Sequence, residues 1–169
     1  VNEAAPMLRA GFTVLAKKDK GRYYIHSPLK YNTTSWKKEK KGSITIYYLS
    51  SFNKAKCQNY FSTVEKYDKK LMIEGSPEIF YSCANYNEVL QLIGVDYKSD
   101  YNGRKNGTLS ASENGIRLSL DGTLFSSGGE FDPHDLWHSR LHKVIPATII
   151  NRPVDEGIAY LYGSSWRLT

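Results

Sequence analysis

The sequence of 169 residues predicts an α+β fold, and three observations carry that prediction. Short β-branched and aromatic runs, bounded by Gly, Pro and Lys, recur through the first 130 residues and read as strands. One stretch, residues 53 to 73, carries its apolar side chains at helical spacing instead. Near the end, two proline-punctuated segments, about 133 to 145 and 153 to 162, read as a pair of helices. The expected architecture is a mixed, mostly antiparallel sheet with packed helices, from residue 11 to about 125, followed by the helix pair. At this length the simplest organisation is one domain over 1–169, a sheet-rich lobe about 11–130 followed by the helices about 131–163.

Each element has its own reason. "GFTVLA" (11–16), "RYYIHS" (22–27) and "SITIYYLS" (43–50) are the first strands. In the helix that follows, Cys57, Tyr60, Val64, Tyr67 and Leu71 fall on one face, which makes Cys57 a buried thiol rather than a reactive one. "GSP" (75–77) breaks the chain, "EIFYSCA" (78–84) is a short strand, and "NEVLQLIG" (87–94) is a short helix closed by Gly94. Between residues 95 and 130, rich in Gly, Asn, Ser and Asp, "TLSAS" and "IRLSLDG" are joined by "ENG", a hairpin signal. Gly128 and Gly129 then form a flexible lead into the final helices.

Composition narrows the function classes. No apolar run approaches the length of a membrane span. The net charge of +6 rests largely on "KKDK" (17–20) and "WKKEKK" (36–41). Basic runs beside aromatics can hold phosphate backbones. Here they flank strands and carry interleaved acids, so solvated loops are expected and nucleic acid is not an expected partner. The sequence starts "VNEAAPMLRA", with neither an initiator Met nor a secretory signal; a processed, exported chain (periplasmic or extracellular) is the favoured expectation. Cys57 and Cys83 lack metal-ligand spacing, and a disulfide between them requires export.

The densest chemistry lies in "FDPHDLWHSRLHKVIP" (131–146), which holds three of the four histidines. Asp132 suits the N-cap, Pro133 the first helical position, and Pro146 stops the helix near Ile145. Residues four apart on a helix differ by about 40° around its axis, so His134 and His138 project from one edge and can converge on one cation. His142 has turned about 80° from His134 and fits a surface position better than a shared ligand set. A catalytic zinc needs a third protein ligand and an open position. "NRPVDEGIAYLYG" (151–163), opening at Asn151 or Arg152 and stopped by Gly163, offers Glu156 in its first turn. His26, alone in a strand, reads as structural; Tyr160, one turn past Glu156, reads first as packing and second as a hydrogen-bond donor to a reaction oxyanion.

"HDLWH" (134–138) and "DEGIAY" (155–160), with seventeen residues between His138 and Glu156, resemble the gluzincin metallopeptidases. That family carries His-Glu-x-x-His on one helix and a glutamate ligand on the next, after a mixed sheet whose edge strand borders the substrate cleft. The motif spans about thirty residues; upstream the likeness is one of layout. The resemblance implies a zincin-like fold, Zn2+ held by His134, His138 and Glu156, and Asp155 orienting a ligand or holding the loop. It implies hydrolysis of a peptide or protein substrate by activated water, with Asp135 in the position of the general base.

Two features depart from the family. Asp135 replaces a glutamate and is about 1.5 Å shorter, where a base must come within about 2.6–3.2 Å of its proton. Thirteen residues follow Glu156, so the helical lower lobe of the family is expected to be absent or minimal. These departures favour a second class of function, a catalytically degenerate zincin-fold module that binds a protein or peptide. A basic nucleic-acid binder is the weakest of the three.

Overall fold

Alternate side chains of two neighbouring strands set the layering. In β6 (Glu78–Ser82), Phe80 joins a buried cluster on one face of the sheet and Tyr81 a second cluster on the other, as the two-residue period of a strand requires. In β5 (Ile44–Tyr48), Ile44 and Ile46 belong to the first cluster, while Tyr47 packs on the second. The sheet is therefore covered on both faces. The computed structural model describes residues 10–49, 52–75, 77–97, 108–113, 116–121, 125 and 131–163. The expected glycine hinge at 128–129 and the centre of the "ENG" turn lie outside them.

The main sheet has the order β4 (Lys37–Lys41), β5, β6, β9 (Ile116–Asp121), β8 (Thr108–Glu113). Its outer pairings are antiparallel, and its two central pairings, β5–β6 and β6–β9, are parallel. A parallel pair needs a crossover, and α2 (Lys54–Leu71) supplies it between β5 and β6. Asn53 caps α2 by accepting from the Lys56 N–H at 3.1 Å, and Met72 ends it in the left-handed conformation. The α2 side chains Tyr60, Phe61, Val64 and Tyr67 fill the first cluster, joined by Leu136 and Trp137 of α4 (Pro133–Leu141) and Ala159 of α5 (Arg152–Gly163). The opposite cluster takes Leu29 of α1 (Leu29–Asn32) with Val89 and Leu92 of α3 (Tyr86–Leu92).

The α+β class holds, with a mixed sheet and two C-terminal helices, and the details correct several expectations. "GFTVLA" is not one strand. Its start is β1 (Ala10–Phe12), paired with β7 (Val95–Tyr97), and its end opens β2 (Leu15–Asp19), paired with β3 (Arg22–His26). The break falls where Thr13 donates its N–H to the Gly94 carbonyl at 2.7 Å. Only glycine fits at 94: its φ is +81°, and a Cβ there would lie 2.2 Å from the Thr13 carbonyl oxygen.

The lysine runs are strands rather than loops. Lys37–Lys41 is edge strand β4, and Lys17–Asp19 belong to β2. Neither has a face in the core, so no apolar alternation announced them; lysine on an edge also discourages pairing with other chains. The hairpin β8–β9 forms as expected. Helix α4 ends at Leu141 rather than near Ile145, because Lys143 and Val144 tighten to bonds with Arg140 and Leu141, three residues back. Cys57 and Cys83 form no disulfide with each other; they are buried in the clusters on opposite faces of the sheet. Burial, with a smaller contribution from the charge of Glu39, pushes the Cys57 thiol up to about 11, the inert character its helical position implied.

Candidate metal centre

Local chemistry explains why α4 starts where it does. The Asp132 carboxylate accepts the His134 N–H at 2.8 Å, and Pro133 occupies a position whose N–H would have no partner. Leu136, Trp137 and Leu141 turn inward, which leaves the histidines on the flank that faces α5. Aromatic contacts lock this helix to its neighbours: Tyr67 meets Trp137 edge-on at 5.2 Å and donates its hydroxyl to the Tyr162 carbonyl at 3.0 Å. The end of α5 crosses the start of α4 so closely that a Cβ on Gly163 would lie 2.6 Å from the His134 N and Cα. Gly163 therefore does more than stop its helix. It lets the two backbones approach.

That crossing brings three predicted residues together. His134 Nε2 lies 3.0 Å from His138 Nε2 and 3.1 Å from Glu156 Oε2, and His138 Nε2 lies 3.6 Å from Glu156 Oε1. One donor atom from each of His134, His138 and Glu156 lies within 4.8 Å of the others, a candidate metal-binding site. Four ligands at about 2.0–2.1 Å from a tetrahedral zinc are separated by about 3.3 Å, so the spacing is that of ligands around one ion. Proton counting gives the same answer. His138 Nδ1 lies 2.9 Å from Asp155 Oδ2, a contact that suits an N–H on that nitrogen; in the neutral ring Nε2 then keeps its lone pair. A single proton on His134 Nε2 satisfies either His138 or Glu156, whereas a cation satisfies all three. The residues fit zinc.

Asp155 is buried behind the cluster and approaches two histidines, His138 at 2.9 Å and His142 at 3.7 Å. Its contact with His138 orients that ring, an arrangement common behind metal-binding histidines. His142 is exposed, as its angular drift predicted, and lies outside the donor cluster. Tyr160 packs its ring on His134 at 4.5 Å between centroids, and the residue stays 49% exposed. Asp135 is exposed in the first turn of α4 and is not a member of the cluster. On a helix it sits about 100° from His134 and 60° from His138. His26 is exposed on β3 and joins no such group among the described residues.

Sequence reasoning missed the anchor of this helix. Arg140 is 0% exposed and grips Asp68 of α2 through Nε at 2.6 Å and through Nη2, while Nη1 donates to Glu78 of β6 at 2.9 Å. Lys143 donates to the same Glu78 carboxylate, and its pKa is lowered by burial, against the opposing pull of Glu78. A signal existed in the spacing of Arg140 and Lys143, but a basic pair near a helix C-terminus normally reads as a solvated end.

The motif that carries the gluzincin resemblance thus assembles into a compact donor set on two packed helices. Comparison of the whole chain with protein families, curated proteins and solved structures finds no match.

Proposed function

We propose that this protein is a zinc-dependent hydrolase of peptide bonds, with His134, His138 and Glu156 as the metal ligands. The observation that carries the reading is the convergence of those three donors at 3.0–3.6 Å, with Asp155 behind His138. Zinc in such a set supplies Lewis acidity and makes water nucleophilic near neutral pH. The chain's own residues do the rest. Asp155 holds the His138 ring in the tautomer that frees Nε2. Asp135, exposed at the start of α4, takes a proton from the attacking water and returns it to the leaving amine. Glu156, exposed on the first turns of α5, supplies the negative charge of the ligand set.

The short side chain of Asp135 supports a second reading, a domain that keeps the metal and binds a peptide without cutting it. Metal analysis of untagged protein comes first: about one zinc per chain is expected, with most of it lost in His134→Ala or His138→Ala and nearly all retained in Asp135→Ala. Zinc lost from Asp135→Ala would make Asp135 a ligand and overturn the assignment of roles. Asp135→Glu restores reach and should raise peptide hydrolysis, within the about 10²–10⁴-fold that general acid–base catalysis contributes. Zinc bound, fold intact and no gain would leave the binding module as the answer.

A further inference from the structure

A cavity of about 350 Å³ opens beside the metal centre, lined by His138, His142, Ile150, Arg152, Asp155 and Glu156. It is at the small end of the range of ligand sites, about 300–1,000 Å³, and has room for one or two residues of a peptide. Its charges are unevenly matched. Arg152 opens α5, so Asp155 and Glu156 stand three and four residues on, where a helix normally pairs opposite charges. Both carboxylates are turned to histidines instead, Asp155 to His138 and His142, Glu156 to His134 and His138. Among the described residues the Arg152 guanidinium has no acidic partner.

Resting on the metal reading, we infer that Arg152 makes this cavity a subsite for a carboxylate of the peptide substrate. With a dication in place, the charges of Asp155 and Glu156 are balanced and Arg152 leaves the mouth positive. A guanidinium is also the side chain built for two-pronged recognition of a carboxylate. The anion is either an acidic side chain or a free C-terminus. Arg152 would select the substrate and position it next to the ligands His138 and Glu156, which line the same cavity.

The test is binding to the zinc-loaded chain by calorimetry, with three blocked dipeptides. Acetyl-Ala-Glu amide carries only a side-chain carboxylate, acetyl-Ala-Ala only a terminal one, and acetyl-Ala-Ala amide neither. One carboxylate probe should bind about 10- to 100-fold more tightly than the neutral amide, the factor that a charge-assisted hydrogen bond contributes, and the better of the two names the source of the anion. Arg152→Ala should remove that preference at unchanged zinc content, and Arg152→Lys should keep part of it. Equal binding of all three probes, or a preference that survives Arg152→Ala, overturns the inference; the latter would mean that the carboxylate meets the metal alone. Preference that depends on Arg152 without cleavage of any longer peptide sustains the subsite and sinks the hydrolase. Cleavage without preference does the reverse.

Discussion

The two halves of α4 handle charge in opposite ways. Toward its C-terminus Arg140 is sealed in the core with every prong of its guanidinium directed at a carboxylate, two to Asp68 and one to Glu78. Toward its N-terminus His134 and His138 bring two ring nitrogens to 3.0 Å of each other beside the Glu156 carboxylate. The first arrangement is complete as it stands. The second places three donor atoms where one proton on His134 Nε2 cannot serve both His138 and Glu156. The first cluster balances itself; the second is a candidate metal-binding site. The same nine-residue helix shows both, because its first turn faces α5 and its last turn faces α2 and β6.

The sharpest way to break this contrast is Arg140→Ala. It leaves Asp68 and Glu78 without their guanidinium, and removal of one partner from a buried ion pair costs about 3–5 kcal/mol. Denaturant unfolding should register that loss. A loss below about 1 kcal/mol would mean that the Arg140 end is no more structural than the histidine end.

Asp155→Asn addresses the histidine end. The amide side chain can keep the shape while losing the charge that holds the His138 Nδ1–H, and loss of such an outer partner lowers metal affinity by about 10–100-fold. Stability of the metal-free protein should change little, and a competition assay with a zinc chelator reads the affinity. Equal zinc affinity in the variant would remove Asp155 from the site.

Tyr67→Phe should have the smallest effect. It deletes only the hydroxyl that bonds the Tyr162 carbonyl at 3.0 Å and leaves the edge-on contact with Trp137 in place. The expected loss is about 0.5–1.5 kcal/mol, with zinc content unchanged. A large loss of zinc instead would show that the α2–α5 contact sets the ligand geometry.

What the sequence by itself determined are the features written in local periods. The apolar stripe of α2, the Asp132-Pro133 start of α4 and the four-residue spacing of His134 and His138 all operate within one or two turns of chain. For the same reason the hairpin β8–β9 was legible from a turn signal between two strand-like runs. Glu156 could be named from the sequence because the motif it belongs to is a spacing.

Only the tertiary structure decided the rest. Whether Lys37–Lys41 is loop or strand depends on pairing with the edge of β5, which no apolar pattern within the lysine run announces, and the split of residues 11–16 depends on Gly94, remote in the chain. The parallel pairing of β5 with β6 goes with the α2 crossover, and the burial of Arg140 follows from carboxylates on α2 and β6. The close pass of Gly163 over His134 belongs here as well. Side chains distant in sequence have no periodic signature of their mutual position; burial and charge pairing fix it once the layers close.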